Sequence, residues 1–378
     1  MLNQRYAAID QGTTGTRVVV FGEDGKHFSP AAIAHKQLTP NPGWVEHDPM
    51  EILRNIRTCL SQCGVVDAIG LAHQGESVVA WDAQSGLPLY NAIIWQDQRT
   101  ESVIRQLRNE GFEETIRAKT GLPLDTYFSG SKLGWIMRNV PGARELSRRG
   151  HLRLGTMDSF FMFHLCGTHI TDYNSASRTS LFNIHTLQWD EELCRLFGVP
   201  IEALPNIRDN TGHFGDVTYA GNTTPLTACI VDQFAGTYGH GCLQAGQMKI
   251  TFGTGAFLQS ITVPRFPTRK AQDCSRHYAG NYRASLRSTA WMAASITRHQ
   301  PLTGPKRSAC TAISRSSPIS RMNRPSLAAW LLSLHSPAWV APIGIARLPD
   351  YGLGCRWKPS AKTCCSPFLK GSPCARPR

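Results

Sequence analysis

Asp10-Gln11-Gly12-Thr13-Thr14-Gly15-Thr16-Arg17 joins two β-rich runs, Tyr6-Ala7-Ala8-Ile9 and Arg17-Val18-Val19-Val20-Phe21. Glycines in such a turn let a phosphate approach backbone N–H groups, and threonine hydroxyls add donors. Asp10, at the end of the first run, offers a carboxylate for a metal ion that carries phosphates. The stretch therefore predicts a β-hairpin built for phosphate, with a tight hairpin of polar turn residues as the alternative reading. The strand-to-helix Gly-x-x-x-x-Gly-Lys-Ser loop is absent.

Outward from the hairpin, the chain predicts a mixed α/β protein. Glu23-Asp24-Gly25 is a turn signal after the second run. Asp48 followed by Pro49 reads as an N-cap with proline at the first helical position, starting a helix that runs towards Cys63. Val66–Ala72 and Ser77–Trp81 predict two strands around His73–Glu76, while Lys132–Asn139 and Asp190–Phe197 predict helices. No internal repeat or low-complexity linker occurs before residue 267.

A length of 378 residues with 41% hydrophobic content allows two domains of ordinary size. No run of eighteen or more apolar residues occurs, and the polar lead into the first strand has no apolar signal core, so a cytoplasmic protein without a membrane span is expected. The net charge of +13 is unevenly placed: residues 267–378 hold 18 Lys+Arg against Asp273 and Asp350, leaving 22 basic and 25 acidic residues before them. The same segment has 12 of the 23 prolines, 6 of the 12 cysteines and no Glu. Its lack of helical period or strand alternation marks a second kind of sequence. Cys59 and Cys63 have helical spacing but no matching His or Cys pair, so no zinc site or other metal cluster is expected.

Several ordered motifs carry a resemblance. The chain resembles the carbohydrate kinases of the FGGY family, and within it the branch that phosphorylates glycerol, over residues 5 to about 264. The matching stretches are Asp10–Thr14, Pro42–Pro49, Tyr90–Gln96, Tyr127–Trp135, Asp172-Tyr173 with Ala176–Thr179, Leu181–Leu187, Asp232-Gln233 and Phe252–Gly255. The resemblance implies an α/β actin-like ATPase fold: two domains on ribonuclease-H-like cores, with ATP and a small polyol meeting between them. It implies transfer of the γ-phosphoryl group of Mg-ATP to a polyol hydroxyl, a reaction that needs positioning, charge neutralisation and a base.

Residue by residue, Asp232 matches the catalytic base, although by itself it also reads as a turn or cap carboxylate. Asp10 would hold Mg²⁺, and Gly12, Thr13, Thr14 and Arg17 would meet phosphate oxygens. Gly253 and Thr254 would form an opposed phosphate clamp. The substrate end is matched by Gly75, Glu76, Trp95, Tyr127, Asp232, Gln233 and Phe257: polar groups for vicinal hydroxyls and aromatic faces for the C–H side. Trp95 and Phe257 also read as core aromatics. Gly75 departs from the pattern, because the glycerol-specific members have Arg there; its loss removes a fork of donors and is expected to open space. His185 lies within a family motif, with a surface or hydrogen-bonding role as the plain reading.

The expected organisation is a complete first domain over residues 1–245, the start of a second, ATP-binding domain over 246–265, and a non-native basic tail over 266–378. The family's later glycine-rich and acidic segments are missing. The tail's composition is that of a coding region read out of frame, and codons allowed for Ala338–Ile345 can spell, in a neighbouring frame, a loop like the missing one. Activity is then expected to be impaired or lost. Other readings are a polyol-binding module without turnover, a kinase for another sugar or polyol, and phosphate-directed binding of nucleic acid or anionic membranes by the tail. No specific nucleic-acid partner is expected, and a homo-oligomer accords with the family.

Overall fold

The computed structural model describes residues 4–244, 246–252, 256–262, 276–278 and 291–293. The greater part of the tail therefore lies outside the described residues.

The opening hairpin forms as expected. Strands Arg5–Gln11 and Gly15–Gly22 pair antiparallel with Ala8 opposite Val19 and Asp10 opposite Arg17. Both runs are largely buried, which β-branched and small residues tolerate on a two-sided strand. A six-stranded sheet grows around them in the order Thr211–Tyr219, Asn222–Val231, Ala68–His73, Arg5–Gln11, Gly15–Gly22, His27–Ala34. Its three middle strands, Asn222–Val231, Ala68–His73 and Arg5–Gln11, run parallel.

Helix Pro49–Ser61 begins as the sequence predicts: the Asp48 carboxylate accepts from the Met50 N–H at 2.8 Å, and proline occupies the first turn, where no N–H is needed. It packs Ile52, Leu53, Ile56 and Leu60 on one sheet face together with Phe160 and Phe161 of helix Met157–Cys166. The opposite face carries Tyr6, Ala8, Val19 and Phe21 against Phe234 and Ala235 of helix Asp232–Gly239.

A smaller sheet, in the order Glu46–His47, Ala92–Ile93, Val78–Asp82, Leu152–Thr156, has its own core with helices Glu101–Asn109, Glu113–Thr120, Ser129–Asn139 and Glu191–Phe197. The last forms as expected but begins one residue later than Asp190, whose carboxylate caps it by accepting from the Glu192 and Leu193 N–H groups, and it ends at Gly198 with φ +72°. Motif residues Glu46, Tyr90 and Asn91 prove to hold this sheet. Glu46 accepts from the Tyr90 hydroxyl, the Asn91 amide and Arg99, and the Arg99 guanidinium stacks 3.8 Å from the Trp44 ring centroid.

Beyond the main body, Met248–Phe252 and Ala256–Thr262 pair antiparallel and extend to Trp291–Ala293 and Arg276–Tyr278 in a four-stranded sheet. Among the described residues no helix is long and apolar enough to cross a membrane.

Candidate active site

Three parallel strands place the site. Asp10 pairs with Ala72 and Gln11 with His73, while Ile230 and Val231 pair with the same two residues from the other side. The C-terminal ends of all three strands therefore lie at one edge, the usual ligand edge of an open α/β sheet. Each strand delivers one carboxylate at or just beyond its end: Asp10, Glu76 and Asp232.

At the first strand, the turn of the hairpin closes with Gly12 N–H donating to Gly15 carbonyl at 2.9 Å. Thr14 is exposed, and Gly12 and Thr13 are half-buried. Asp10 accepts from Arg17 Nε at 2.8 Å across the ladder. Burial raises the Asp10 pKa, and Arg17 opposes that shift by its charge and its hydrogen bond. Asp10 thus sits partnered beside the turn, of whose residues Thr14 is the exposed one.

The aromatic residues assigned to the substrate end come together. Trp95 lies 5.6 Å from Tyr127 and 6.2 Å from Phe257, centroid to centroid, in edge-on contacts. The Trp95 backbone N–H donates to Ser77 Oγ at 3.1 Å. Its indole Nε1–H donates to Thr13 Oγ1, so the aromatic wall is tied directly to the phosphate-type turn.

Asp232 opens helix Asp232–Gly239, where its Oδ1 accepts the Gln233 N–H at 2.6 Å. Burial pushes its carboxyl up to about 7; the charges of Asp10 and Glu76 push the same way, while Lys249 and the Gln233 N–H oppose them. A carboxylate held near neutrality by its surroundings has the property of a general base. Gln233 Oε1 is buried without a protein partner. Gly253 and Thr254 lie outside the described residues.

Gly75 corrects the sequence reading. A Cβ built there would stand 2.7 Å from Val231 Cγ1 and 3.3 Å from Cγ2. The absent side chain has not opened space at its root, because the β-branched Val231 fills it.

Three features were missed in the sequence. Lys249, buried on the hairpin Met248–Phe252/Ala256–Thr262, donates from Nζ to Gln233 carbonyl at 3.1 Å; burial lowers it to about 8, with Asp232 opposing. Arg178 lies in a quoted motif but had no site role; it pairs with Glu76 in a buried ion pair. Beneath the site, His73, Asp158, Asp172 and Cys229 bring ligand-type atoms within 4.8 Å of one another. Protein groups take up these atoms: Thr156 and Thr171 donate to Asp158, Ser175 and Asn210 to Asp172, and His73 bonds Gln74 carbonyl and Ser175 Oγ. Four separate elements supply the cluster, so no sequence spacing announces it. Cys59 and Cys63 are free and buried, and the exposed His185 bonds Ala118 carbonyl at 2.9 Å.

A sheet of this order, with a glycine–threonine hairpin and an Asp-led helix at its parallel edge, defines the first half of an actin-like sugar-kinase fold. The chain belongs to the FGGY family of carbohydrate kinases: residues 5–239 match the model of that family's N-terminal domain. It is 44% identical over 277 residues to a glycerol kinase of Symbiobacterium thermophilum, covering 70% of this chain and 56% of that one. A glycerol kinase of Polaromonas naphthalenivorans is 42% identical over 275 residues, covering 70% and 55%. The chain thus spans about half the length of these relatives. Among solved structures, Plasmodium falciparum glycerol kinase with ADP superposes at a TM-score of 0.72 and 30% identity, covering 77% of this chain and 60% of that one. A gluconate kinase from Lactobacillus acidophilus, at 21% identity and TM-score 0.67 over 77% and 59% of the two chains, shares the fold.

Proposed function

We propose that this chain carries the polyol-side half of a kinase centre that transfers the γ-phosphoryl group of ATP to a hydroxyl of glycerol or a related small polyol. The observation that carries the reading is the meeting of Asp10, Glu76 and Asp232 at one sheet edge, beside the aromatic group Trp95, Tyr127 and Phe257. Similarity to proteins named glycerol kinase supports the acceptor class.

In this mechanism Asp232 accepts the proton of the attacking hydroxyl. The hydroxyl oxygen bonds to phosphorus as the bridging P–O bond breaks, and that bond's electron pair leaves with ADP. Glu76 and Gln233 engage vicinal hydroxyls; the unpartnered Gln233 Oε1 is suited to accept one. Trp95, Tyr127 and Phe257 cover the C–H face and exclude water. Gly12, Thr13, Thr14 and Arg17 contact phosphate oxygens, with Gly253 and Thr254 as the opposed clamp.

The donor set fits Mg²⁺. Asp10 offers hard oxygen ligands, and it shares its surroundings with the carboxylates of Glu76 and Asp232. When bound, the ion neutralises phosphate charge, and Asp10 would hold it.

Residues 266–378 are read as an out-of-frame replacement of the ATP-binding domain, which leaves turnover by this chain weak or lost. The half-length match to the relatives and the change in charge after residue 266 support this. The test is polyol-dependent ADP release by the chain as it stands and by a version with its reading frame restored near residue 265. A binding module without turnover would instead give polyol stabilisation with no ADP release from either form.

A further inference from the structure

Arg178 follows the short helix Tyr173–Ser177, and its residue is 4% exposed. Its Nε and Nη2 both engage Oε1 of Glu76. Its Cζ lies 5.5, 5.3 and 5.8 Å from the ring centroids of Tyr127, Phe128 and Phe234, so the guanidinium sits among three aromatic rings. Glu76 needs such a hold. Its φ is +60°, a left-handed conformation costly for a residue with a side chain, and its neighbour Gly75 contributes no side chain.

We propose that Arg178 is the positioning and specificity-determining residue of the polyol pocket, and that it makes the pocket selective for neutral polyols over sugar acids. The proposal rests on the polyol-kinase reading. Arg178 commits Oε1 of Glu76 to the protein and fixes Tyr127, so that Oε2 serves a substrate hydroxyl. Its positive charge is consumed by Glu76, and two further carboxylates, Asp10 and Asp232, stand nearby. A carboxylated ligand would have to compete with Glu76 for the Arg178 guanidinium and would meet like charge from Asp10 and Asp232.

The experiment uses the full chain and isothermal calorimetry with neutral polyols of three to five carbons, each paired with the sugar acid of the same length. Wild type is expected to bind at least one polyol about 100-fold tighter than its acid. Glu76→Gln frees Arg178; it is expected to weaken the polyol about tenfold and strengthen the acid by a similar factor. Arg178→Gln is expected to abolish polyol binding and, without ligand, to speed amide hydrogen exchange in residues 76–78 and 126–129.

Because Arg178→Gln leaves a buried carboxylate unpaired, the doubly neutral Glu76→Gln/Arg178→Gln chain controls for folding. It is expected to fold and still not bind. Polyol binding by either Arg178 variant at wild-type strength, or unchanged exchange in both segments, overturns the proposal. A wild type that binds sugar acids as well as polyols overturns the selectivity. A wild type that binds no polyol, with exchange changing as expected in Arg178→Gln, contradicts the kinase reading and leaves the positioning role standing.

Discussion

The Trp95 indole N–H donates to Thr13 Oγ1 across 3.0 Å, joining the aromatic wall to the turn of the opening hairpin. Thr13 is held a second time, because His35 Nε2 lies 2.9 Å from its carbonyl. Removing the hydroxyl with Thr13→Val is expected to cost about 1 kcal/mol of stability. In a double-mutant cycle with Trp95→Phe, urea unfolding should show non-additivity of about the same size. Strict additivity would mean that the bond contributes nothing.

Asp232 fixes the pH dependence. Its folded pKa of about 7 exceeds the ordinary 3.8, so the folded state retains a proton that the unfolded chain releases. Its contribution to stability is complete below about pH 4 and is lost as pH rises to about 7. Asp232→Asn should therefore raise the melting temperature more at pH 8 than at pH 5. In the frame-restored enzyme kcat/KM should rise roughly tenfold per pH unit below about pH 7, where the base is protonated, and then level off. Calorimetry and a pH–rate profile read these two effects separately.

At position 75 the structure predicts a steric penalty. Gly75→Ala drives its Cβ to within 2.7 Å of Val231 Cγ1, and overpacking of this kind costs about 1–3 kcal/mol. Val231→Ala should relieve much of it, so the double variant is expected to unfold at a higher urea concentration than the two single losses would sum to. Gly75→Arg alone is expected to destabilise the chain rather than tighten glycerol binding.

Lys132 supports the segment that carries Tyr127. Its buried Nζ donates to the carbonyls of Thr126, Tyr127 and Phe128 at 2.8, 2.7 and 3.0 Å. Lys132→Met leaves these acceptors without their donor and should cost about 2–4 kcal/mol, as measured by chemical denaturation.

Local chemistry made much of this legible in the sequence. The glycine–threonine turn between β-rich runs and the Asp48-Pro49 cap act over a few residues, and the structure forms both of them. The helix containing Lys132 begins at Ser129, three residues earlier than its apolar pattern suggested, because Phe128 is the extended residue that precedes it. The carboxylate group was legible through family motifs alone, since residues 10, 76 and 232 are distant in the chain until parallel pairing joins their strands. Arg178 and Val231 were unreadable as site residues for the same reason: an ion pair 102 residues apart and a methyl group filling a glycine's side-chain position exist only after folding.

The most direct test of the central claim is ADP release by the frame-restored chain, measured with glycerol and with four- and five-carbon polyols, beside the chain as it stands and the restored Asp232→Asn variant. The account predicts polyol-dependent release by the restored form, loss of at least about a thousandfold in Asp232→Asn, and weak or no release by the chain as it stands. A restored form without polyol-dependent release, or an Asp232→Asn variant that keeps full activity, would contradict it.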